Sequence, residues 1–439
     1  MPNDPRAFEV QGKWWLPEYK DQEIPGTLTY SPDTGSELHL IGALFTARGS
    51  ARTTKDGIYE RVHGIAAGKE FTLEDCYQKK YSSFSAAGST TEIVRVQQVY
   101  EGVRVTEEGG PNADRATIDM RYLTHWVGRR GISENHFFES TDPGKVVASL
   151  EALRQPDLTL TLLNGTTVTF RHRVGSSGTK GLERSLNERY VCIFNFPEQI
   201  STPLAMEQVS DLQDLISIAT GRFAEFDKVT FSHPQNKEES ADDTSEVPFV
   251  FHAEWTVRDK SKKPGILHRA QMHFTFDDMG GEAGVKGWLE CASRHRSTLD
   301  RVMASRYRDG LFASDRLFHR VAAIEAFGRN RIGHKNVKLP GALKHCHELA
   351  GDTFEALVGD AVQWATVVKS NRDDIGHHYD RRPDQGGSAQ YFLAESSYWL
   401  FVLCMLRDAG APEGVFNRIK ESSDWAWLSP KVKAIVQAG

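Results

Sequence analysis

Two periodicities divide the chain. As far as about residue 276, apolar and polar positions alternate in short runs separated by turn residues, the period-two signature of strands. Beyond about residue 284 the apolar positions recur every three or four, the signature of helices. Residues 26–30 and 37–41 flank a Ser/Pro/Asp/Gly-rich turn and read as strand, turn, strand. Residues 158–163 and 166–170 flank Asn164-Gly165 and form the clearest hairpin, since Asn-Gly supplies the positive φ angles of a type I′ turn. Further β-type runs cover 91–100, 190–196, 247–257 and 271–276. One helix interrupts them at 209–220, with Leu212, Leu215, Ile216 and Ala219 on one face.

The later pattern predicts a basic helix over 286–307 and a helix over 315–327, with Leu317, Val321, Ile324 and Phe327 in register. A long stripe over 353–370 follows, carrying Phe354, Leu357, Val358, Ala361, Ala365 and Val368. A mostly apolar helix over 389–408 is stopped by Gly410 and Pro412. The expected fold class is therefore α+β. A β-rich domain covers 1–285, a basic linker helix 286–312, and an all-α bundle 313–439. The glycine-rich stretch at 175–181 lacks the spacing of a phosphate loop and reads as a flexible connection. The polar, acidic stretch at 233–246 reads as a solvated loop.

Composition narrows the function classes. With 39% hydrophobic and 26% charged residues, the chain can bury a core. Lys and Arg number 53 against 59 Asp and Glu, a net charge of −6, which excludes a protein that coats nucleic acid by bulk charge. The acidity lies before residue 311, since the last 129 residues carry 16 basic against 15 acidic side chains. A local basic cleft there remains open. The five cysteines are scattered, odd in number and without a CxxC pair, which suits a reducing compartment. The first ten residues carry Asp4, Arg6 and Glu9 and no apolar core, unlike a signal peptide. The longest apolar run, 398–406, is about half a bilayer span. A cytoplasmic protein with no membrane contact is expected.

No dinucleotide, Walker, zincin or nucleophile-elbow motif is present. Metal-ligand types cluster at His345-Cys346-His347 and at Cys291 with His295. Adjacent helical positions point in different directions, so His345 and Cys346 do not converge on one ion, and neither metal nor cofactor is expected. An Arg-x4-His pair occurs twice, at Arg329/His334 and Arg372/His377. With 32 arginines and 16 histidines about one such pair arises by chance, so only context distinguishes them. Arg372 continues the apolar stripe four residues after Val368. A guanidinium there faces either a site or a carboxylate of Asp373, Asp374 or Asp380.

The stretch 367–379, VVKSNRDDIGHHY, resembles the signature of HEPN ribonuclease domains, in which an arginine, a polar residue, a short spacer and a histidine follow a long helix. Residues 317–327 resemble the first helix of that bundle. The opening at 8–17, FEVQGKWWLP, followed by PGTLTY at 25–30, is similar to the start of ApeA-type abortive-infection proteins, which join a β-rich N-terminal domain to a C-terminal HEPN domain. The resemblance implies Arg372 and His377 as catalytic residues, with Asp373 and His378 in support. Asp373 stands where asparagine is commonest. It further implies host RNA as substrate, a homodimer or higher even oligomer that brings two motifs together, and a phage protein as trigger. The chemistry fits. RNA supplies its own nucleophile, histidine can move the proton, arginine stays charged at the phosphate, and no metal is needed. Positions five apart on a helix are about 140° apart, so Arg372 and His377 require a helix break near Gly376 or a wrapped arginine. Arg294, Arg301 and Arg308, spaced by seven, are expected on one helical face as a solvated linker, an RNA track or an inter-subunit contact. Arg329 with His334 is the alternative catalytic pair, and Arg329 otherwise reads as an RNA contact near the cleft. Trp14 and Trp15 read as core. The second hypothesis is a non-catalytic HEPN scaffold binding RNA or a protein partner.

Overall fold

The computed structural model describes residues 6–44, 57–84, 89–106, 110–138, 146–179, 183–234, 236–240, 243–253, 267–308, 310–334, 336–377 and 387–439. In chain order the elements are β1 (Phe8–Trp15), β2 (Ile24–Ser31), β3 (Gly35–Ile41), β4 (Ile58–Ala66), β5 (Lys69–Phe84), β6 (Ser89–Glu101) and β7 (Asn112–Met120). Then come α1 (Leu123–Val127), β8 (Ile132–Phe138), β9 (Val146–Ala152), β10 (Leu158–Thr161), β11 (Thr167–Ser177), β12 (Ser185–Ser201), α2 (Thr202–Thr220), β13 (Phe226–Ser232), β14 (Lys237–Ser240), β15 (Asp243–Glu246) and β16 (Phe249–Ala253). The helical run is α3 (Gly281–Arg294), α4 (Arg296–Tyr307), α5 (Ala313–Ile332), α6 (Leu339–Ala350), α7 (Asp352–Val358), α8 (Ala361–His377), α9 (Gly387–Asp408), α10 (Glu413–Glu421) and α11 (Ser423–Ala438).

Two compact units share these elements. One holds residues 1–120, 192–207 and 226–258, the other 121–191, 208–225 and 259–439. The units interleave along the chain, which changes unit within β12 and again within α2. In the first unit, β1 to β6 close into an antiparallel barrel. The order is β6-β3-β2-β1-β4-β5, and β5 returns to pair with β6. Closure leaves these strands no free edge. Alternation sends Trp14, Leu28, Leu38, Leu73 and Val94 inward, all fully buried. Gly64 is required there, because a Cβ at that position would lie 2.1 Å from the Trp14 ring. β6 outruns β3, and there it pairs with β16, from which a sheet continues through β13 and β7 to β12.

The second unit is mainly helical and also holds α1, the β8–β9 pair and the β10–β11 hairpin. Its central element is α9, whose residues 393–406 are buried throughout. Helix α5 packs on it and buries Leu317, Val321, Ile324 and Phe327, so the predicted register is the observed one. Gly410, at φ 71°, ends α9 as expected. Among the described residues no helix is long and apolar enough to cross a membrane.

The local differences have local causes. At 158–170 the strands pair as expected, but only Gly165 takes a positive φ, and its N–H donates to the Leu162 carbonyl at 3.0 Å. The turn is thus a longer one, not type I′. β11 runs on through Gly175 to Ser177, shortening the expected glycine-rich connection. Residues 233–246 contain a polar hairpin, β14–β15, whose strands pair with each other and carry no apolar alternation to announce them. Residues 271–276 form no strand. The His273 and Phe276 N–H groups donate to the carbonyls of Ala219 and Trp126, and Phe274 and Phe276 are fully buried. The stripe at 353–370 is two helices, because Gly359, at φ 80°, closes α7 and the Asp360 carboxylate caps α8.

Candidate functional site

Helix α8 starts at that cap, where the Gln363 N–H donates to Asp360 at 2.9 Å. Its inner face carries Trp364, Val367, Val368 and Asn371. The Trp364 indole N–H donates to Ser396 of α9 at 2.9 Å, and the Asn371 amide donates back to the Val367 carbonyl. Arg372 follows, its side chain one quarter exposed. Its guanidinium stands over the Phe318 ring of α5, 5.5 Å from the centroid. Nη1 donates to Asp373 at 3.2 Å, while Nε is buried and finds no partner among the described residues. Asp373 also receives Lys369 at 2.8 Å. The Lys369 hydrogen bond, helped by Arg372, holds the Asp373 carboxyl below the usual carboxylate range, so it is an anion and not a proton donor at neutral pH. The helix does not break at Gly376 but continues to His377, whose backbone position is therefore about 140° from that of Arg372. His378 lies outside the described residues.

The other arginines are placed differently from the sequence pattern. The expected single helix at 286–307 is two, because His295 leaves helical geometry at φ −114°. Arg294 therefore ends α3, Arg301 lies on α4, and Arg308 is extended beyond α4, so the spacing of seven does not stand on one face. Nor are α3 and α4 a solvated linker, since Trp288, Leu289, Leu299 and Val302 are buried. Arg294 donates to Asp408, whereas Arg301 and Arg308 are exposed. Arg329 donates to Glu325 at 2.6 Å and to the Val337 carbonyl at 2.7 Å, tying α5 to the approach to α6. His334 is exposed just beyond α5. Trp14 and Trp15 are core.

All five cysteines are free and buried. One three-donor cluster stands out among the described residues. Atoms of Cys291, His295 and Asp408 lie within 4.8 Å of one another. The Asp408 carboxylate is already occupied by His295 at 3.0 Å, Arg294 at 3.2 Å and Arg331. Burial, with Asp408 adding to it, pushes the Cys291 thiol up to about 12. The donor types suit a metal, but two guanidiniums already neutralise the carboxylate, and the cluster reads as an ion-pair clamp joining α3, α5 and α9. His345 and His347 flank Cys346, which is buried against the Ile324 carbonyl.

Residues 9–288 match the family model of the ApeA N-terminal domain 1, almost two thirds of the chain. The chain belongs to the ApeA family. It is accordingly an ApeA-type anti-phage defence protein, as its Trp-rich opening implied. No curated protein and no solved structure matches it. The family match stops before α4, so the α8 site in this ApeA-family chain rests on its own geometry.

Two features of that geometry had no sequence signal. Phe318 is 54 positions from Arg372, and a phenylalanine on an amphipathic helix reads as core. The second is a buried charge set beside it. Arg320 is fully buried on α5 and donates to Glu395 of α9 at 2.8 Å, and Arg306 of α4 donates to the same carboxylate at 3.2 Å. Both guanidiniums lie 5.2 Å from the Tyr398 ring centroid. In the primary sequence these are three unremarkable charges.

Proposed function

We propose that this ApeA-family protein is a HEPN-type endoribonuclease that cuts host RNA during phage infection, with Arg372 and His377 as its catalytic pair. Arg372 binds the scissile phosphate and offsets the charge that develops there. His377 moves the proton between the 2′-hydroxyl and the leaving 5′-oxygen. The reaction needs no metal, because RNA supplies the nucleophile and arginine the positive charge. The observation that carries the reading is the presentation of Arg372. It stands near the end of α8, whose inner face is buried, over an aromatic ring and with its side chain one quarter exposed. The unbroken course of α8 to His377 favours a site built from two copies, since a two-fold interface brings each motif to its counterpart. A homodimer in the cytoplasm is the working form, with the β-rich part as sensor and a phage protein as trigger.

The experiment is RNA-end sequencing from cells expressing wild type or His377→Ala under phage challenge. Expected are 5′-hydroxyl ends that appear with wild type and vanish in the variant. Identical ends in both would reject the nuclease reading. The second reading, a non-catalytic HEPN scaffold for RNA or a protein partner, has one observation in its favour. The Arg372–Asp373–Lys369 ion pairs also suit a structural surface. It requires that His377→Ala still protects cells against phage.

A further inference from the structure

We propose that Phe318 is a positioning residue for catalysis, a cation–π platform that fixes the Arg372 guanidinium for the phosphate; this rests on the ribonuclease reading above. Arg372 and Gly376 are one turn apart on the same face of α8, and both meet the same ring. The guanidinium carbon is 5.5 Å from the ring centroid. A Cβ on Gly376 would reach 3.6 Å from Phe318 Cε2, so the bare backbone of that turn borders the ring. The ring is thus lodged between a cation and a glycine, and it contacts the arginine through its electron-rich face.

The alternatives for holding Arg372 are weak. Among the described residues its other anchor is Asp373, at 3.2 Å, and that carboxylate is about one third exposed and shared with Lys369. An exposed ion pair of this kind leaves a long side chain free to sample rotamers. The ring restricts the plane of the guanidinium without consuming a hydrogen-bond donor. Nε is buried, so the part-exposed end of the guanidinium is what the ring presents to phosphate. Phe318 touches neither substrate nor reacting atoms, and it acts through Arg372.

The test uses the full-length protein and total cellular RNA. Phe318→Leu keeps apolar bulk and removes the ring face, and is expected to lower kcat about 10-fold with little change in KM or Tm. Phe318→Tyr restores the face and is expected to cleave at the wild-type rate. Phenylalanines of increasing fluorination at 318 drain the ring face at nearly constant shape, and kcat is expected to fall with each fluorine, which guards against a variant that merely misfolds. A flat fluorination series, or Phe318→Tyr falling as far as Phe318→Leu, would overturn the platform. If Arg372→Ala abolishes cleavage while Phe318→Leu cleaves normally, the platform fails and the nuclease reading stands. If Arg372→Ala and His377→Ala both cleave normally, the nuclease reading itself has failed.

Discussion

Glu395→Ala would leave two guanidiniums facing each other across a buried gap. Arg320 is fully buried and is held by Glu395 at 2.8 Å, the Ala394 carbonyl at 2.8 Å and Ser305 at 3.0 Å. Arg306 is one third exposed and reaches the other carboxylate oxygen at 3.2 Å. An exposed ion pair contributes about 0–1 kcal/mol, and that figure suits Arg306 alone. Arg320 has no water to fall back on, and removing one partner of a buried pair costs about 3–5 kcal/mol. At about 2–4 °C per kcal/mol for a large domain, Tm should fall by about 6–20 °C. Near-UV circular dichroism against temperature at neutral pH reads this directly. Glu395→Gln keeps an acceptor and should fall between. Replacing all three charges together with Leu or Met should recover much of the loss, because apolar replacement of a whole buried ion set is often neutral or better. The pH dependence has a definite sign. Burial pushes the Glu395 carboxyl up, but Arg320 and Arg306 outweigh it and hold the group below the usual carboxylate range. Its contribution is then complete above that range and is lost as pH falls through the lower folded-state value. The gap between wild type and Glu395→Ala should therefore narrow in acid. A drop of less than about 1 kcal/mol at pH 7 would mean that the triad is hydrated and the reasoning wrong.

Burial raises the Asp214 carboxyl to about 8, against the Tyr307 hydroxyl at 2.6 Å and Arg296, so it is mostly protonated at neutral pH. A folded value above the unfolded one gives stability that is full below about pH 4 and is lost as pH rises toward 8. Asp214→Asn should flatten that decline in urea melts between pH 5 and 8.5, and equal slopes would refute it. Gly64→Ala should cost about 2–3 kcal/mol or more by driving a methyl into the fully buried Trp14, seen as lost hydrogen-exchange protection in the barrel strands; full protection would show that the barrel can yield there. Cys291, its thiol raised to about 12 by burial and Asp408, should resist alkylation at pH 8 until the protein is denatured, so rapid native labelling would contradict its burial.

Elements whose partners are near in sequence were legible. The β2–β3 hairpin, the pairing of β10 with β11, and helix α5 with its buried register all follow from period and turn chemistry. What failed was local geometry set by distant contacts. Residues 271–276 have a strand-like apolar pattern, but their backbone is claimed by the end of α2 and by α1. The stripe at 353–370 is continuous in side chains and interrupted in backbone, because an apolar period is blind to a single glycine at positive φ. The arginine spacing of seven failed for a similar reason, since His295 ends one helix and precedes the next without disturbing the count. Closure of six strands into a barrel has no one-dimensional signature at all, since β5 and β6 pair in any hairpin and only β1–β4 and β3–β6 complete the ring.

At the candidate site the sequence found the arginine and could not weigh it. An ion pair to Asp373 was the competing account of Arg372, and that pair is present. Its presence does not decide between the two, because magnitudes separate them. A part-exposed pair to the next residue contributes about 0–1 kcal/mol and is made through Nη1 alone, whereas a phosphate can take two guanidinium N–H groups at once. On the ribonuclease reading proposed above, Asp373 steadies Arg372 in the resting protein and gives way to the RNA phosphate. Lys369 and Arg372 hold its carboxyl low, so at neutral pH it is an anion and not a proton donor. The buried Nε, without a partner among the described residues, is the part an ion-pair account leaves over. The helix running unbroken to His377 separates the backbone positions of the two motif residues. A structural arginine would be indifferent to that separation, whereas a catalytic one needs a histidine that its own helix does not bring alongside, and in a dimer the second copy brings one.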